Sequence, residues 1–215
     1  MKTLIAIPCM DVVAAGFAQS LAMLNRVGDC YVTLVAGSLV YDSRNKIASK
    51  AVELGVDYVL WIDSDMILAP DTLEKLMKHM EAGKNIVSGV YYRRSGSYTP
   101  VMFKSLTRLE DGGVKSENYD DYPKDAPFKV AGVGFGCVLM RASILFEMFA
   151  QYNDWFTPEG RAGEDVSFCM RATDMGFEIW VDPSVQCGHV GQVIVTKDFY
   201  DAYKMAEEQK RENKG

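Results

Sequence analysis

Hydrophobic positions over the first 91 residues alternate between the spacing of a buried strand and the spacing of one helix face. Thr3–Cys9 is a short apolar run with a proline near its end, as expected of a buried strand. Val12–Arg26 carries apolar residues three or four positions apart, which is typical of a helix. Further strands are predicted at Tyr31–Ala36, Val56–Ile62 and Asn85–Tyr91, and helices at Ser43–Leu54 and Asp71–Glu81. This alternation predicts βαβ units and a mostly parallel central sheet with helices on both faces.

The pattern is mixed after residue 91. Strands are predicted at Thr99–Phe103, Phe128–Val133, Val138–Arg141 and Glu178–Val181, and helices at Ser143–Phe149 and Gly163–Met175. The polar stretch Lys104–Pro127 holds six acidic residues and is expected to be a mobile loop or a hairpin excursion. The tail, Lys197–Gly215, is predicted to be a charged, solvated helix. The fold prediction is therefore a single α/β domain with a mixed second half.

Composition excludes several classes of protein. The 215 residues are 48% hydrophobic and 24% charged, which is ordinary for a globular domain and excludes disordered and fibrous chains. The net charge of −6 makes the chain a poor candidate for binding bare nucleic acid, which requires a basic surface. The five cysteines include no C-x-x-C pair, so neither a disulfide framework nor a zinc-thiolate site is expected, and most should be reduced and buried.

The N-terminal apolar run is interpreted as a strand rather than a signal peptide. It contains Pro8 and stops at Asp11, before an apolar signal region could be completed. No apolar run approaches the ~18 residues of a membrane span. We therefore expect a soluble, cytoplasmic protein without a transmembrane segment.

The third predicted strand ends in Asp63, Ser64 and Asp65. Ligands of open α/β sheets bind beyond the carboxyl ends of the strands, and carboxylates two positions apart on an extended segment point the same way. Their mutual repulsion calls for a cation, and oxygen ligands suit Mg²⁺ or Mn²⁺. The alternative interpretation is that Asp63 ends the strand and Asp65 caps the next turn.

Three other segments are candidates for chemistry. Glu164 and Asp165 open a predicted helix after Gly163, where they either act in a site or simply stabilise the helix start. His189 lies between Gly188 and Gly191, where a metal-ligand role and a structural role stand about even. Tyr91–Arg94 follows the fourth strand and either meets phosphate or acceptor, or ends the strand with surface arginines.

The order of these motifs resembles that of the GT-A glycosyltransferases, and among them the small family 2-like enzymes of bacterial or phage type. The matching segments are Trp61–Met66, Ala162–Ala172 and Cys187–Gly191, together with Ser43–Asp65 leading into the D-x-D. The resemblance covers roughly residues 3–195. It implies a Rossmann-like GT-A domain over residues 1–196, with a nucleotide-binding half at 1–91, an acceptor half at 92–196 and a helix at 197–215.

The resemblance also implies a ligand. A nucleotide diphosphate sugar, most simply a UDP- or GDP-sugar, would donate its sugar to a hydroxyl-bearing acceptor. The donor-binding positions that it implies are Pro8, Cys9, Arg44, Asn45, Asp63, Ser64 and Gly134, the last within the Gly132–Gly136 segment. Asp65 and His189 would ligate Mn²⁺ or Mg²⁺, and Asp63 would reach the metal through water or contact the ribose. Asp165 would be the general base of an inverting reaction, with Glu164 orienting the acceptor or the base.

The chain also departs from the family pattern. Phe168–Arg171 does not match the Q-x-x-R-W segment that often follows the E-D pair, which weakens any analogy to processive polysaccharide synthases. A histidine ligand beside D-x-D also occurs in retaining enzymes of this fold. The sequence thus leaves four things open: the stereochemical outcome, the sugar that is transferred, the nucleobase of the donor and the acceptor.

Three other functions are compatible with parts of the sequence. A nucleotidyltransferase making a nucleotide sugar usually has a glycine-rich basic loop after its first strand, whereas this chain has Cys9–Val13 there. An aspartate-nucleophile phosphatase carries its D-x-D after the first strand rather than the third. A non-catalytic sugar- or protein-binding relative would not need acids and a histidine at every expected position.

Overall fold

The structure, a computed structural model, describes residues 1–37, 39–192 and 196–212. Its helices are α1 (Ala15–Met23), α2 (Val40–Leu54), α3 (Thr72–Glu81), α4 (Ser143–Tyr152), α5 (Glu164–Asp174) and α6 (Lys197–Glu212). Its strands are β1 (Lys2–Pro8), β2 (Asp29–Val35), β3 (Tyr58–Ile62), β4 (Met66–Ile67), β5 (Ile86–Val90), β6 (Met102–Arg108), β7 (Val114–Asn118), β8 (Phe128–Val130), β9 (Gly132–Val133), β10 (Cys137–Arg141), β11 (Ile179–Gln186) and β12 (Gly188–His189).

Seven strands form the central sheet in the order β2-β1-β3-β10-β5-β11-β8. β1 is parallel to both β2 and β3, and β11 is parallel to β5. β10 runs antiparallel between β3 and β5, and β8 closes the far edge antiparallel to β11. The predicted α/β domain with a mostly parallel sheet and a mixed second half is confirmed.

Alternating side chains along the inner strands supply two cores, one on each face of the sheet. On β1, Leu4 and Ala6 enter one core while Ile5 and Ile7 enter the other. The first core is covered by α2, α4 and α5, and the second by α1 and α3. At roughly 25 cal/mol per Å² of apolar surface, burial of this sheet on both faces dominates the stability of the fold.

The first helix is shorter than predicted. It begins at Ala15 rather than Val12, and Val12 is 80% exposed. The preceding backbone is held to neighbouring loops instead: Cys9 N–H donates to Val35 O, and Ala14 N–H donates to Ser64 O. These bonds keep the segment extended across the ends of the strands, where it forms part of a cavity wall.

The polar stretch Lys104–Pro127 contains a hairpin, which was one of its two predicted forms. β6 and β7 pair antiparallel, and the turn between them places Gly112 in the left-handed region with φ +77°. The strand predicted at Thr99–Phe103 begins later, at Met102, and continues into this hairpin. Polar residues suit the hairpin because most of its side chains face solvent.

The remaining predictions concern the cysteines and the tail. All five cysteines are free thiols, and four of them are buried, as expected of small apolar residues. The charged tail helix is present as α6, while residues 213–215 of the prediction lie outside the described residues. None of the helices in the described part of the chain is long and apolar enough to cross a bilayer.

Candidate active site

The three acidic and histidine-containing motifs meet at one edge of the central sheet. Asp63 and Asp65 follow β3, and β12 pairs antiparallel with β4 so that His189 lies opposite Met66. The backbone N–H of Val190 donates to the carbonyl of Asp65 at 2.8 Å. The D-x-D and the late histidine are thus joined by a two-stranded pair beyond the carboxyl end of β3.

A cavity of about 930 Å³ opens at this edge. Its volume is within the range of sites that bind a small molecule. The predicted site residues that line it are Pro8, Cys9, Arg44, Asp63, Ser64, Asp65, Glu164 and His189. Three others, Asn45, Gly134 and Asp165, are not among the described residues that line it.

His189 presents one ring nitrogen to Asp65. Its Nδ1 lies 2.8 Å from the backbone carbonyl oxygen of Tyr92, which can only accept a hydrogen bond, so Nδ1 carries a proton. The ring of Tyr91 meets the imidazole edge-on at a centroid distance of 5.7 Å. In the neutral tautomer the lone pair is therefore on Nε2, which lies 3.6 Å from Asp65 Oδ2. This is the arrangement that prepares a histidine to bind a metal.

Asp65 is surrounded by positive charge. Burial alone would raise the pKa of its carboxyl group, but contact with the imidazole of His189, when that ring is protonated, and the charge of Arg94 bring the pKa below its usual value. Arg94 also donates a hydrogen bond to this carboxylate. The nearby Asp65 carboxylate favours the protonated imidazole and raises the pKa of His189 in return.

Asp63 pairs with a buried arginine. Arg44 Nη2 donates to Asp63 Oδ1 at 2.8 Å, and the Arg44 residue is 2% exposed. Burial raises the pKa of the Asp63 carboxyl group, and the charge of Arg44 partly offsets that rise. The two carboxylates of the D-x-D thus have different surroundings, Asp63 at the cavity floor and Asp65 facing the histidine.

The E-D pair begins α5. Glu164 Oε1 lies 3.8 Å from Arg44 Nε, and Asp165 Oδ1 accepts a hydrogen bond from the backbone N–H of Val166 at 2.7 Å. Burial, followed by the nearby charge of Glu164, raises the pKa of Asp165 to about 6. A Cβ at Gly163 would lie 3.0 Å from Asp165 Oδ1, so the glycine leaves room for this carboxylate. A carboxylate with a pKa near the working pH is suited to general-base chemistry.

Asn45 points away from the cavity toward a neighbouring loop. Its Nδ2 contacts Asp154 and Thr157, and its Oδ1 accepts a hydrogen bond from Phe156 N–H at 2.8 Å. These contacts tie α2 to the segment between α4 and α5. Its donor-binding role stays a prediction.

Gly134 packs against Tyr91. A Cβ at Gly134 would lie 2.1 Å from Tyr91 Oη, and one at Gly136 would lie 2.8 Å from Tyr91 Cζ. The same hydroxyl oxygen accepts a hydrogen bond from Gly136 N–H at 3.1 Å. The two glycines are therefore required by the Tyr91 ring, and the sugar-lining role of Gly134 stays a prediction.

Some site features could not be identified from the sequence. For Tyr91–Arg94 the sequence leaves open a contact with phosphate or acceptor and a strand end with surface arginines. The structure adds that the Tyr91 ring and the Tyr92 carbonyl hold His189, and that the Arg94 guanidinium lies beside Asp65. The apolar part of the cavity wall around the exposed Val12 matches no sequence motif. A backbone carbonyl leaves no sequence signal, because any residue type supplies one.

The residues present fit a divalent cation whose shell is completed by a ligand. No group of three or more His, Cys, Asp or Glu side chains placed to hold a metal occurs within residues 1–37, 39–192 and 196–212. Asp65 and His189 nevertheless supply one oxygen and one nitrogen that face each other. Mg²⁺ and Mn²⁺ commonly take one or two protein ligands and substrate phosphates. In the structure, the guanidinium of Arg94 is the positively charged group paired with the Asp65 carboxylate.

Comparison with known proteins agrees with the fold. Residues 30–149, more than half of the chain, match the family described as "Glycosyl transferase family 2". No curated protein sequence matches significantly. The structure is similar to A197 from STIV, with 18% identity, a TM-score of 0.66, and coverage of 89% of this chain and 87% of that one. It is also similar to GalNAc-T7, solved with UDP, GalNAc and Mn²⁺, with 9% identity, a TM-score of 0.61, and coverage of 89% of this chain and 44% of that one. At these identities the likeness shows the fold alone.

Proposed function

Because the chain belongs to glycosyl transferase family 2 and has the GT-A fold, we propose that it is a metal-dependent glycosyltransferase. It moves a sugar from a nucleotide diphosphate sugar to a hydroxyl-bearing acceptor. One observation carries the proposal: Asp65 and the free Nε2 of His189 face each other at the cavity, with Nδ1 held by a carbonyl. This pair lies beyond the carboxyl end of β3, where α/β sheets bind their ligands.

The donor occupies the cavity in this proposal. Pro8 ends β1 and Cys9 follows it, and both border the nucleotide, while Asp63 and Ser64 lie toward the ribose and diphosphate. The proposed donor is a UDP-sugar or a GDP-sugar. The UDP bound in the GalNAc-T7 structure supports a UDP-sugar. Residues 1–91 form the nucleotide half and 92–196 the acceptor half of the proposed domain, with the helix at 197–215 as an addition.

Asp65 and His189 would hold Mn²⁺ or Mg²⁺, with Asp63 behind them. Such an ion stabilises the charge that develops on a diphosphate leaving group. The local charge supports a divalent cation. The acidic groups are Asp63, Asp65, Glu164 and Asp165, and the guanidinium groups beside them are those of Arg44 and Arg94. When all four acids are ionised, the negative charges exceed the positive charges of the arginines, and a dication reduces their repulsion.

Asp165 is the proposed general base of an inverting reaction. With a pKa of about 6, it is largely ionised at neutral pH yet basic enough to accept a proton from an acceptor hydroxyl. Glu164, one residue earlier, orients the acceptor or the base. A product with the anomeric configuration of the donor would assign the reaction to the retaining class and remove this role.

A thermal-shift panel tests the proposal. The protein is heated with UDP-, GDP-, CDP- or dTDP-sugars, each with and without Mn²⁺. We expect one nucleotide to raise the melting temperature only when Mn²⁺ is present, and Asp65→Asn to abolish that rise. Asp71→Asn is the matched control, since the Asp71 side chain is half-exposed and pairs with Lys75 on α3. Shifts that are independent of Mn²⁺ and unchanged in Asp65→Asn would contradict the metal site.

Two alternatives predict other results. Family membership argues against a nucleotidyltransferase, which would be stabilised by nucleoside triphosphates and would form nucleotide sugar. A non-catalytic sugar-binding relative would bind donor or sugar and show no release of nucleotide diphosphate with any acceptor. The D-x-D follows β3, so the first-strand position of the phosphatase motif is not met.

A further inference from the structure

We infer that Arg44 is a positioning residue, a buried cation that holds the Asp63 carboxylate and the Glu164–Asp165 helix start in one arrangement. This inference rests on the proposed function, since it assigns Arg44 a task in that reaction. It differs from the nucleotide contact expected from the sequence, because here Arg44 acts through protein carboxylates.

Arg44 is buried with its charge at the base of the cavity. The residue is 2% exposed, although it lies on an amphipathic helix that could place it in water. A buried guanidinium is costly unless it is paired and hydrogen-bonded. Its Nη2 donates to Asp63 Oδ1 at 2.8 Å, which supplies one strong partner. The pair joins α2 to the end of β3.

Two phenylalanine rings confine the guanidinium. The Arg44 Cζ lies 5.2 Å from the ring centroid of Phe135 and 5.8 Å from that of Phe156. These rings meet each other edge-on at 5.0 Å and pack against Trp61 in the core. Contacts between a cation and ring faces stabilise the charge. Since the rings are themselves fixed by the core, Arg44 has little room to move toward a ligand.

The remaining N–H groups of Arg44 indicate where a further partner belongs. Within the described part of the chain, Arg44 Nε and Nη1 are buried and have no hydrogen-bond partner. Glu164 Oε1 lies 3.8 Å from Nε, too far for a hydrogen bond but within reach of a small side-chain movement. Hydrogen bonds in active sites are often long without substrate and tighten in the reacting complex. We expect Glu164 to close onto Nε when donor and acceptor bind.

The same cation acts on Asp165. Burial and the charge of Glu164 raise the pKa of Asp165, whereas the charge of Arg44 lowers it. The ionisable groups that interact with Asp165 are Glu164 and Cys169 on α5, Arg44 on α2, Asp63 after β3 and Tyr91 after β5. Of these five groups, Arg44 is the one that carries a positive charge. Its removal should therefore raise the pKa of Asp165 further.

The test compares Arg44→Gln with Lys46→Gln, which removes an exposed positive charge from the same helix. Three quantities are measured for each: the Kd of the nucleotide diphosphate that stabilises the wild-type protein with Mn²⁺, kcat/KM against pH, and the ¹³C NMR titration of the Asp165 carboxyl carbon. For Arg44→Gln we expect kcat/KM to fall roughly 100-fold, as misplaced catalytic groups do, and Kd to weaken by less than about 10-fold, because the Glu164–Asp165 helix start affects only the reaction whereas Asp63 also faces the nucleotide. The Asp165 titration should move to higher pH, and Lys46→Gln should leave all three unchanged.

A second variant keeps the inference testable if Arg44→Gln does not fold. Glu164→Gln retains Arg44 and removes the charge that raises the pKa of Asp165, so the Asp165 titration should move to lower pH. Where Arg44→Gln folds, the Glu164→Gln and Arg44→Gln losses in kcat/KM should combine less than additively in the double variant.

Three results would overturn the inference. They are a Kd that weakens in proportion to kcat/KM in Arg44→Gln, an Asp165 titration that does not move in the folded variants, and additive losses in the double variant. A wild-type protein that transfers no sugar and binds nucleotide without Mn²⁺ would instead count against the proposed function. The Asp165 titration is measured without turnover, so the two failures are distinguishable.

Discussion

Arg94 donates a hydrogen bond to Asp65 Oδ2, the same oxygen that lies 3.6 Å from His189 Nε2. A guanidinium therefore interacts with the carboxylate to which we assign a divalent cation. Arg94 is an exposed residue after β5, so its side chain can leave this position without disturbing the core. Competition between the arginine and the metal for one carboxylate follows from this contact.

Arg94→Gln should bind Mn²⁺ more tightly than the wild-type protein in the absence of nucleotide. Exposed ion pairs contribute about 0.2–1 kcal/mol, so removal of the competing cation should improve the Kd by up to roughly 5-fold. Electron paramagnetic resonance of free Mn²⁺ measures this directly. Arg93→Gln is the control for loss of one positive charge nearby. An unchanged or weaker Mn²⁺ affinity in Arg94→Gln would show that the arginine does not compete.

The activity should require an ionised Asp165. Because a general base must be deprotonated, kcat/KM should rise as the pH increases through about 6, the pKa of Asp165. Asp165→Asn should lower kcat by roughly 10²- to 10⁴-fold while the donor still binds with Mn²⁺. Initial rates from pH 4.5 to 8.5 give the profile. Full activity at pH 4.5, or in Asp165→Asn, would rule out this base.

Asp165 should also make the stability of the ligand-free protein depend on pH. Its folded pKa of about 6 exceeds the ordinary aspartate pKa of 3.8, so the folded state is penalised once Asp165 ionises. The penalty is absent below pH 3.8 and is complete above pH 6. Asp165→Asn should therefore be more stable than the wild type at pH 8 by about 1–3 kcal/mol, and by less at pH 4.5.

Urea unfolding at the two pH values measures this difference in free energy. Asparagine retains an oxygen that can accept the hydrogen bond from Val166 N–H, so the change isolates the charge. Asp71→Asn provides the control on the surface of α3. Equal effects of Asp165→Asn at pH 4.5 and pH 8 would mean that the carboxyl group is not held in an environment that disfavours its charge.

Gly134→Ala should destabilise the protein through Tyr91. The added Cβ would lie 2.1 Å from Tyr91 Oη and 2.7 Å from Val101 Cγ1, so the ring must shift. Overpacking of this kind costs about 1–3 kcal/mol. The double variant Gly134→Ala/Tyr91→Phe should recover part of the lost stability, because it lacks the Tyr91 hydroxyl oxygen, which is the atom nearest to the added Cβ. The control is Gly113→Ala, because this glycine lies on an exposed turn beside the flexible Asp111 side chain. Equal melting temperatures for Gly134→Ala and the wild type would contradict the predicted clash with Tyr91.

The fold and the motif positions were predictable because they depend on strong local signals. Buried strands such as β1 and β3 are almost wholly apolar, and Asp63 and Asp65 interrupt that pattern where β3 ends. The E-D pair begins α5 as predicted, since Gly163 and two acids favour a helix start. Signals of this kind lie within a few residues of each other in the sequence.

Other features depend on contacts between distant segments. β4 and β12 have two residues each, too few for any periodicity, yet their pairing brings His189 to Asp65. The burial of Arg44 follows from the rings of Phe135 and Phe156, which lie far away in sequence. The family resemblance associates Gly134 with the donor sugar, which stays a prediction, while no sequence signal indicates that the Tyr91 hydroxyl lies beside this glycine. Such relationships are decided by tertiary packing.

Metal-dependent release of nucleotide diphosphate tests the central claim most directly. The donor that stabilises the protein is incubated with enzyme and a panel of hydroxyl-bearing sugars, and the freed nucleotide diphosphate is quantified with Mn²⁺ and with a chelator. We predict release with Mn²⁺ that is lost with the chelator and in Asp65→Asn, and retained in Asp71→Asn. Equal release with chelator and with Mn²⁺, or undiminished release by Asp65→Asn, would contradict the account.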